Sequence, residues 1–319
     1  VGNGAYADAF EERVRTRSSP LVRRIAAEHG IALAAVSGTG IAGRVTRRDV
    51  EALVAAGAAP AVAATVSGAA HQPPVAAGPV PEAWPGDVVE PMSRMRQLIS
   101  DHMVVSRRTS AHVTSIFEID LTRVTRIRAK RRAEFEAQSA TRLSYLPFII
   151  KATVDGLKAF PVMNASVAGT QIIYRKQYNI GIAVALDWGL LVPVIRHADE
   201  LSLVGTARAL NDLAARARAK KLRPEEVEQG TFTITNPGVF GSIMGTPIIN
   251  QPQVAIMGVN AIEKRPKVVT GADGEDTIAI RTCAFFSISF DHRLIDGAVA
   301  DEFMAYVKKQ LETFPDAVL

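Results

Sequence analysis

Near the C-terminus, Ser289-Phe290-Asp291-His292-Arg293-Leu294-Ile295-Asp296-Gly297 sets an imidazole among two carboxylates and a guanidinium, with His292 and Asp296 four residues apart. A free imidazole titrates near neutrality, so it can take up and return a proton at pH 7. Alone, the pattern suits a structural histidine as well as a general base. The flanking segments say where it stands. Cys283 to Phe290 is an apolar run of aromatic and β-branched residues that fits a buried strand. After Gly297, residues Val299, Phe303, Tyr306, Val307 and Leu311 recur at helical spacing. His292 is therefore expected in a turn between a strand end and a helix, where a rigid scaffold presents it to a cleft.

The string Asp-His-Arg-x-x-Asp-Gly at 291–297 resembles the signature of the dihydrolipoyl acyltransferases, the core subunits of 2-oxoacid dehydrogenase complexes. From Glu90 to the C-terminus further strings resemble that family's catalytic domain in order. They are Ser106-Arg107-Arg108 before His112-Val113-Thr114, Asn179 to Val184, Gly189 to Ile195, Thr231 to Asn236, and Pro247-Ile248-Ile249-Asn250-Gln251-Pro252. The resemblance implies an α/β fold like that of chloramphenicol acetyltransferase, with a mixed sheet, preceded by a small all-helical domain. It also implies a homotrimer, or a larger cubic or icosahedral core, with active sites between subunits.

The implied reaction moves an acyl group from dihydrolipoamide to coenzyme A. Thiols are mostly protonated at neutral pH and need a base, and His292 is the candidate. The tetrahedral oxyanion needs a waiting donor. Thr235 matches the family's Ser/Thr position for it; without the resemblance it reads as an ordinary strand threonine. Asp296 is expected either to orient the turn or imidazole, or to cap the following helix. Asp291 and Arg293 are expected to form a structural ion pair. For the phosphates of coenzyme A the resemblance points to the basic helix bearing Arg126, Arg128, Lys130 and Arg131, of which one or two should make contact. The chain departs from many relatives at Ala185-Leu186-Asp187-Trp188, where they carry Val-Asp-Thr, which puts that aspartate's substrate contact in doubt.

Residues 18–57 read as a mini-domain. Ser18 or Ser19 caps a helix beginning at Pro20, which His29-Gly30 ends; Leu33 and Val36 mark a short second element; Thr46 caps a last helix carrying Val50, Leu53 and Val54. Gly38 to Gly43 matches G-x-G-x-x-G, yet no strand precedes it and no βαβ unit fits, so dinucleotide binding is rejected. This segment resembles the peripheral-subunit-binding domain of the same acyltransferases, through Pro20 to Arg24, Gly38-Thr39-Gly40, Gly43-Arg44-Val45 and Asp49-Val50. The resemblance implies capture of dihydrolipoamide dehydrogenase or the 2-oxoacid decarboxylase by Arg23, Arg24 and Arg44, a contact that salt should weaken. The remaining divisions are a flexible tail over 1–17, an Ala/Pro linker over 58–86 and the catalytic domain over 87–319. The lipoyl group must come from a domain not in this chain, since no Asp-Lys-Ala attachment string occurs. With Val at position 1, the chain reads as a truncation or as one whose lipoyl arm sits on another chain.

The 319 residues are 48% hydrophobic, with mean hydropathy +0.12, so much apolar surface must be buried in a core or against other subunits. The net charge is +5, but the basic residues are dispersed and there are only 2 Trp and 5 Tyr, which argues against nucleic-acid stacking platforms. One cysteine, Cys283, excludes an intrachain disulfide and suits the cytoplasm. No signal peptide is visible, and the uncharged stretch from Ala52 to Pro81 is broken by prolines, so no membrane span is expected. No metal site is expected. Strands are expected at 112–120, 172–174, 179–185, 190–195, 231–235 and 254–259, with helices at 121–137, 146–160 and 202–221 and a hairpin near Gly271 to Gly274. Two other readings are a non-catalytic scaffold, disfavoured by the retained His292 and Thr235, and a chloramphenicol-type O-acetyltransferase, which leaves residues 18–57 unexplained.

Overall fold

A computed structural model describes residues 20–29, 36, 39–40, 45–55, 81–187 and 189–316. The expected tail at 1–17, Leu33, Arg44, most of the linker and Trp188 lie outside the described residues. The chain divides into two compact units, Val1–Asp87 and Val88–Leu319.

In the first unit, α1 (Pro20–Glu28) and α2 (Arg47–Ala55) close a small core of Val22, Ala26, Val36, Val45 and Val50. Asp49 ties the unit together. Its carboxylate accepts from the backbone N–H and hydroxyl of Thr46, which immediately precedes α2, and from the backbone N–H and hydroxyl of Thr39. This is a capping interaction extended to a second segment. It gives Thr39 a structural role.

The second unit is built on a sheet of order β1-β11-β9-β8-β4-β7, with β10 also pairing β11. The strands are β1 (His112–Asp120), β4 (Ile180–Ile182), β7 (Val194–Ile195), β8 (Phe232–Thr235), β9 (Ala255–Val259), β10 (Glu263–Thr270) and β11 (Asp276–Asp291). The sheet is mixed: β8 runs parallel to β4 and β9, while β1, β9 and β10 run antiparallel to β11. Two hairpins stand apart, β2 (Ala165–Ala168) with β3 (Gln171–Tyr174), and β5 (Val184–Leu186) with β6 (Gly189–Leu191). The helices are α3 (Arg94–Thr109), α4 (Thr122–Ser139), α5 (Leu146–Ala159), α6 (Leu203–Arg218) and α7 (Gly297–Glu312).

The two faces of the sheet differ. Phe286, Ile288 and Phe290 alternate on β11 and join Phe232, Ile234, Met257 and Val259 in the core with residues of α4, α5, α6 and α7. Ser287, Ser289, Thr114 and Thr233 face the other way. Residues 247–253 cross that second face and find partners there. Ile249 accepts from Ser106 Oγ and donates to His112 Nε2, Gln251 donates to Ser110 Oγ, and Gln253 accepts from Thr233 Oγ1.

Two expected strands are each divided. Residues 179–185 split into β4 and β5, and 190–195 into β6 and β7, so the chain leaves the main sheet for a hairpin and returns. Pro193 has no N–H to give a ladder, and it stands at the second break. Strand β2 was not expected, because Ala and Ser carry little strand propensity.

Hydrogen bonds from Thr39 and Thr46 hold the Asp49 carboxyl well below the usual carboxylate range. Its contribution to the first unit is therefore complete above about pH 4 and fades as the pH falls toward the lowered value. Asp49→Asn is expected to speed hydrogen exchange at the Thr39 and Thr46 amides at neutral pH; unchanged exchange would show that the carboxylate does not anchor the loop.

Candidate active site

His292 stands where β11 ends and the turn into α7 begins. The turn is locked by its neighbours. Asp291 is 1% exposed and accepts from Ala111 N at 3.2 Å, from Arg293 N at 3.1 Å, and from the Arg293 guanidinium at 2.7–3.1 Å. Burial pushes the Asp291 carboxyl up, but hydrogen bonds from Arg293 and Ser110 outweigh it and leave the group below its ordinary value. The expected structural pair of Asp291 and Arg293 is present. His292 N donates to Ala111 O at 2.9 Å, and its ring lies 5.7 Å from that of Phe290. The imidazole itself is exposed. The ring thus stands exposed on a backbone fixed by its neighbours.

Asp296 occupies the N-cap position of α7, but its side chain makes no capping hydrogen bond. Its exposed carboxylate is not hydrogen-bonded to His292 within this chain.

Thr235 ends β8 and is half-buried. In the turn beside it, Pro237–Phe240, Gly238 is closely packed while Val239 and Phe240 are exposed. A side chain at Gly238 would collide with the backbone of Asn260, so glycine is required there. Thr235 is in register with Gly258, and Gly258 with Ser287. His292 is five residues beyond Ser287. That is about 17 Å along the strand and about 10 Å across two strand spacings. The structure therefore places His292 and Thr235 at opposite ends of one sheet, and a single copy does not bring them together.

The basic helix is α4. Arg126, Lys130 and Arg131 line a cavity of about 610 Å³ that also takes Arg123, Arg281 and Asp120. Arg131 is paired with Glu134, Arg123 with Asp316, and Arg281 with Asp120. Arg126 and Lys130, one helical turn apart, have no ion-pair partner among the described residues. Arg128 is not in this group. Its Nε donates to Leu143 O and its guanidinium lies 5.0 Å over the Tyr145 ring. Arg123 and Arg281 were missed in the sequence. Arg123 starts the same basic helix, whereas Arg281 comes from distant β11 with no local signal.

In the first unit Arg24 is exposed on α1. The side chain of Arg23, like the whole of Arg44, lies outside the described residues. Among the described residues no cluster of His, Cys, Asp and Glu could hold a metal, and no helix is long and apolar enough to cross a membrane.

The family described as 2-oxoacid dehydrogenases acyltransferase (catalytic domain) matches residues 85–319, and the e3 binding domain family matches residues 16–51. The chain belongs to the acyltransferase family of the 2-oxoacid dehydrogenase complexes. It is 40% identical over 308 residues to the dihydrolipoyllysine-residue acetyltransferase component of the pyruvate dehydrogenase complex of Corynebacterium glutamicum, covering 92% of this chain and 43% of that protein. It is 39% identical over 298 residues to the dihydrolipoyllysine-residue succinyltransferase component of the 2-oxoglutarate dehydrogenase complex of Bacillus subtilis, covering 93% of this chain and 69% of that protein. Among solved structures, the dihydrolipoamide acetyltransferase of Azotobacter vinelandii superposes with TM-score 0.68 at 34% identity, over 74% of this chain and 98% of that one. That structure was determined to define the catalytic roles of a serine, a histidine and an asparagine, the last two four positions apart.

Asp291→Ala is expected to leave the Arg293 guanidinium and two backbone N–H groups without their acceptor. The cost should be about 2–3 kcal/mol in urea unfolding, with acyl transfer falling as His292 shifts. Unaltered stability would mean that the pair does not lock the turn.

Proposed function

We propose that this protein transfers an acyl group from S-acyl-dihydrolipoamide to coenzyme A. The observation that carries this reading is the exposed imidazole of His292 on a turn locked by Asp291 and Arg293, within a chain of the acyltransferase family. His292 removes the proton of the coenzyme A thiol. The thiolate attacks the thioester carbonyl and forms the new C–S bond. Charge gathers on the carbonyl oxygen, where the Thr235 hydroxyl of another copy donates a hydrogen bond. Collapse breaks the old C–S bond, and the dihydrolipoamide sulfur takes the proton back from the imidazolium. Asp296, free of the helix cap and four residues from His292, orients the imidazole once the copies assemble. The same spacing joins the histidine and asparagine studied in the Azotobacter protein.

Arg126 and Lys130 receive the phosphates of coenzyme A, because they are the cavity's cations without an ion-pair partner among the described residues; Arg131 contributes from its exposed pair, and Arg128 stays in its structural role. The acyl-bearing lipoyl group arrives on a domain outside this chain. Residues 18–57 hold dihydrolipoamide dehydrogenase or the decarboxylase through Arg23, Arg24 and Arg44, and 58–86 form the linker to the catalytic domain at 87–319. The copies form a homotrimer, alone or within a larger cubic or icosahedral core, in the cytoplasm. Near-equal identity to an acetyl and a succinyl component brings both acyl groups into the assay.

With S-acetyl- and S-succinyl-dihydrolipoamide as donors, His292→Ala is expected to lower kcat by about 10²–10⁴-fold. Thr235→Ala should lower it by about 10²–10³-fold. Assembly, read by light scattering, should be unchanged in both. Full turnover by His292→Ala would remove the imidazole from the reaction.

A further inference from the structure

We propose that Gln251 is a positioning residue for the His292 imidazole, an inference that rests on the role given to His292 above. The sheet stops short of the turn that carries His292. The last pair of the β1–β11 ladder is His112 with Asp291, so Ala111 and His292 lie one step beyond it. Ala111 nevertheless grips the turn at both of its backbone groups. Its O accepts from His292 N at 2.9 Å, and its N donates to Asp291 Oδ1 at 3.2 Å. The place of Ala111 is set by Ser110, the residue where α3 ends, whose N–H donates to Ser106 O.

Gln251 reaches this joint from the irregular segment 247–253. Its Nε2 donates to Ser110 Oγ at 2.6 Å. A hydroxyl has one proton, and an N–H on its oxygen leaves that proton for another acceptor. Ser110 gives it to Asp291, the buried carboxylate that also takes Arg293 and Ala111. Every link from the amide to the imidazole's backbone is thus a hydrogen bond or a peptide bond. Donation by Gln251 fixes which way the Ser110 proton points, and each bond in the series strengthens the next. The rest of the segment does not depend on Gln251. Ile249 donates to His112 Nε2 at 3.1 Å, Asn250 meets His102 at 3.1 Å, and Gln253 accepts from Thr233 at 2.7 Å. Nor is Gln251 needed to fill the core, since it is half-buried and lines a cavity of about 840 Å³. Its specific work is at Ser110. No bond is made or broken in Gln251 itself.

The test uses the whole protein, with S-acetyl- and S-succinyl-dihydrolipoamide as donors and coenzyme A as acceptor. Gln251→Met fills the space without donating. Gln251→Glu keeps the shape, but its carboxylate only accepts, so it draws the Ser110 proton away from Asp291. Gln251→Met is expected to lower kcat roughly three- to tenfold, and Gln251→Glu to lower it further. The KM for coenzyme A should stay the same, and Tm should fall by no more than a few degrees. In a Ser110→Ala background Gln251→Met should lower kcat no further. Normal kcat in Gln251→Met, a Gln251→Glu more active than Gln251→Met, or a full additional loss without the Ser110 hydroxyl would overturn the inference. If His292→Ala is inactive and Gln251→Met is unimpaired, only the role of Gln251 fails. If His292→Ala is fully active, the roles of both residues fall together.

Discussion

The direction of β11 constrains everything else at this site. It runs against β9, and β9 runs with β8, so the C-terminal end of β11 lies at the starting ends of the other two. His292 follows β11 and Thr235 ends β8; backbone hydrogen bonding alone keeps them roughly 20 Å apart. No side-chain rearrangement closes that gap. A base and an oxyanion donor so separated serve one reaction only when the His292 end of one copy meets the Thr235 end of another. The oligomer is then part of the catalyst, and the exposure of the imidazole in one copy is what such a shared site requires.

The same sheet solves a second problem with its two faces. Alternation along β11 sends phenylalanine and isoleucine into the helical layer and serines to the other side. On that side Ser289 bonds Thr114 of β1, and Thr233 of β8 meets a segment that has no regular structure of its own. Residues 247–253 need partners for their backbone and amide groups; His112 and Thr233 on that face, with Ser106 in α3 and Ser110 at its end, supply them. Ser287 is the exception on that face: it is buried, and its hydroxyl has no partner among the described residues.

Much of the fold was legible because its signals are local. The alternation of His112 to Asp120 gave β1 with its observed bounds, and the apolar stripe after Gly297 gave α7. Segments with tertiary causes were not legible. The strand expected at 179–185 leaves one sheet for another, and Ala165 to Ala168 pairs in spite of its composition. At the site, the string around His292 marked the imidazole and foretold the Asp291–Arg293 pair. The choice for Asp296 between cap and orienting group was open in the sequence; the structure removes the capping hydrogen bond. The basic helix was visible as a run of charge, but which cations are spoken for was not, because Arg128 stacks on Tyr145 and Arg281 arrives from another strand.

The central claim, that each active site takes His292 from one copy and Thr235 from another, is tested by mixing two inactive proteins. His292→Ala and Thr235→Ala copies are unfolded together, refolded in equal amounts and assayed for acyl transfer to coenzyme A. Shared sites predict that activity returns, to about one quarter of the wild-type value for random mixing in a closed ring. No recovery above the separate variants, in assemblies verified to contain both, would contradict the account.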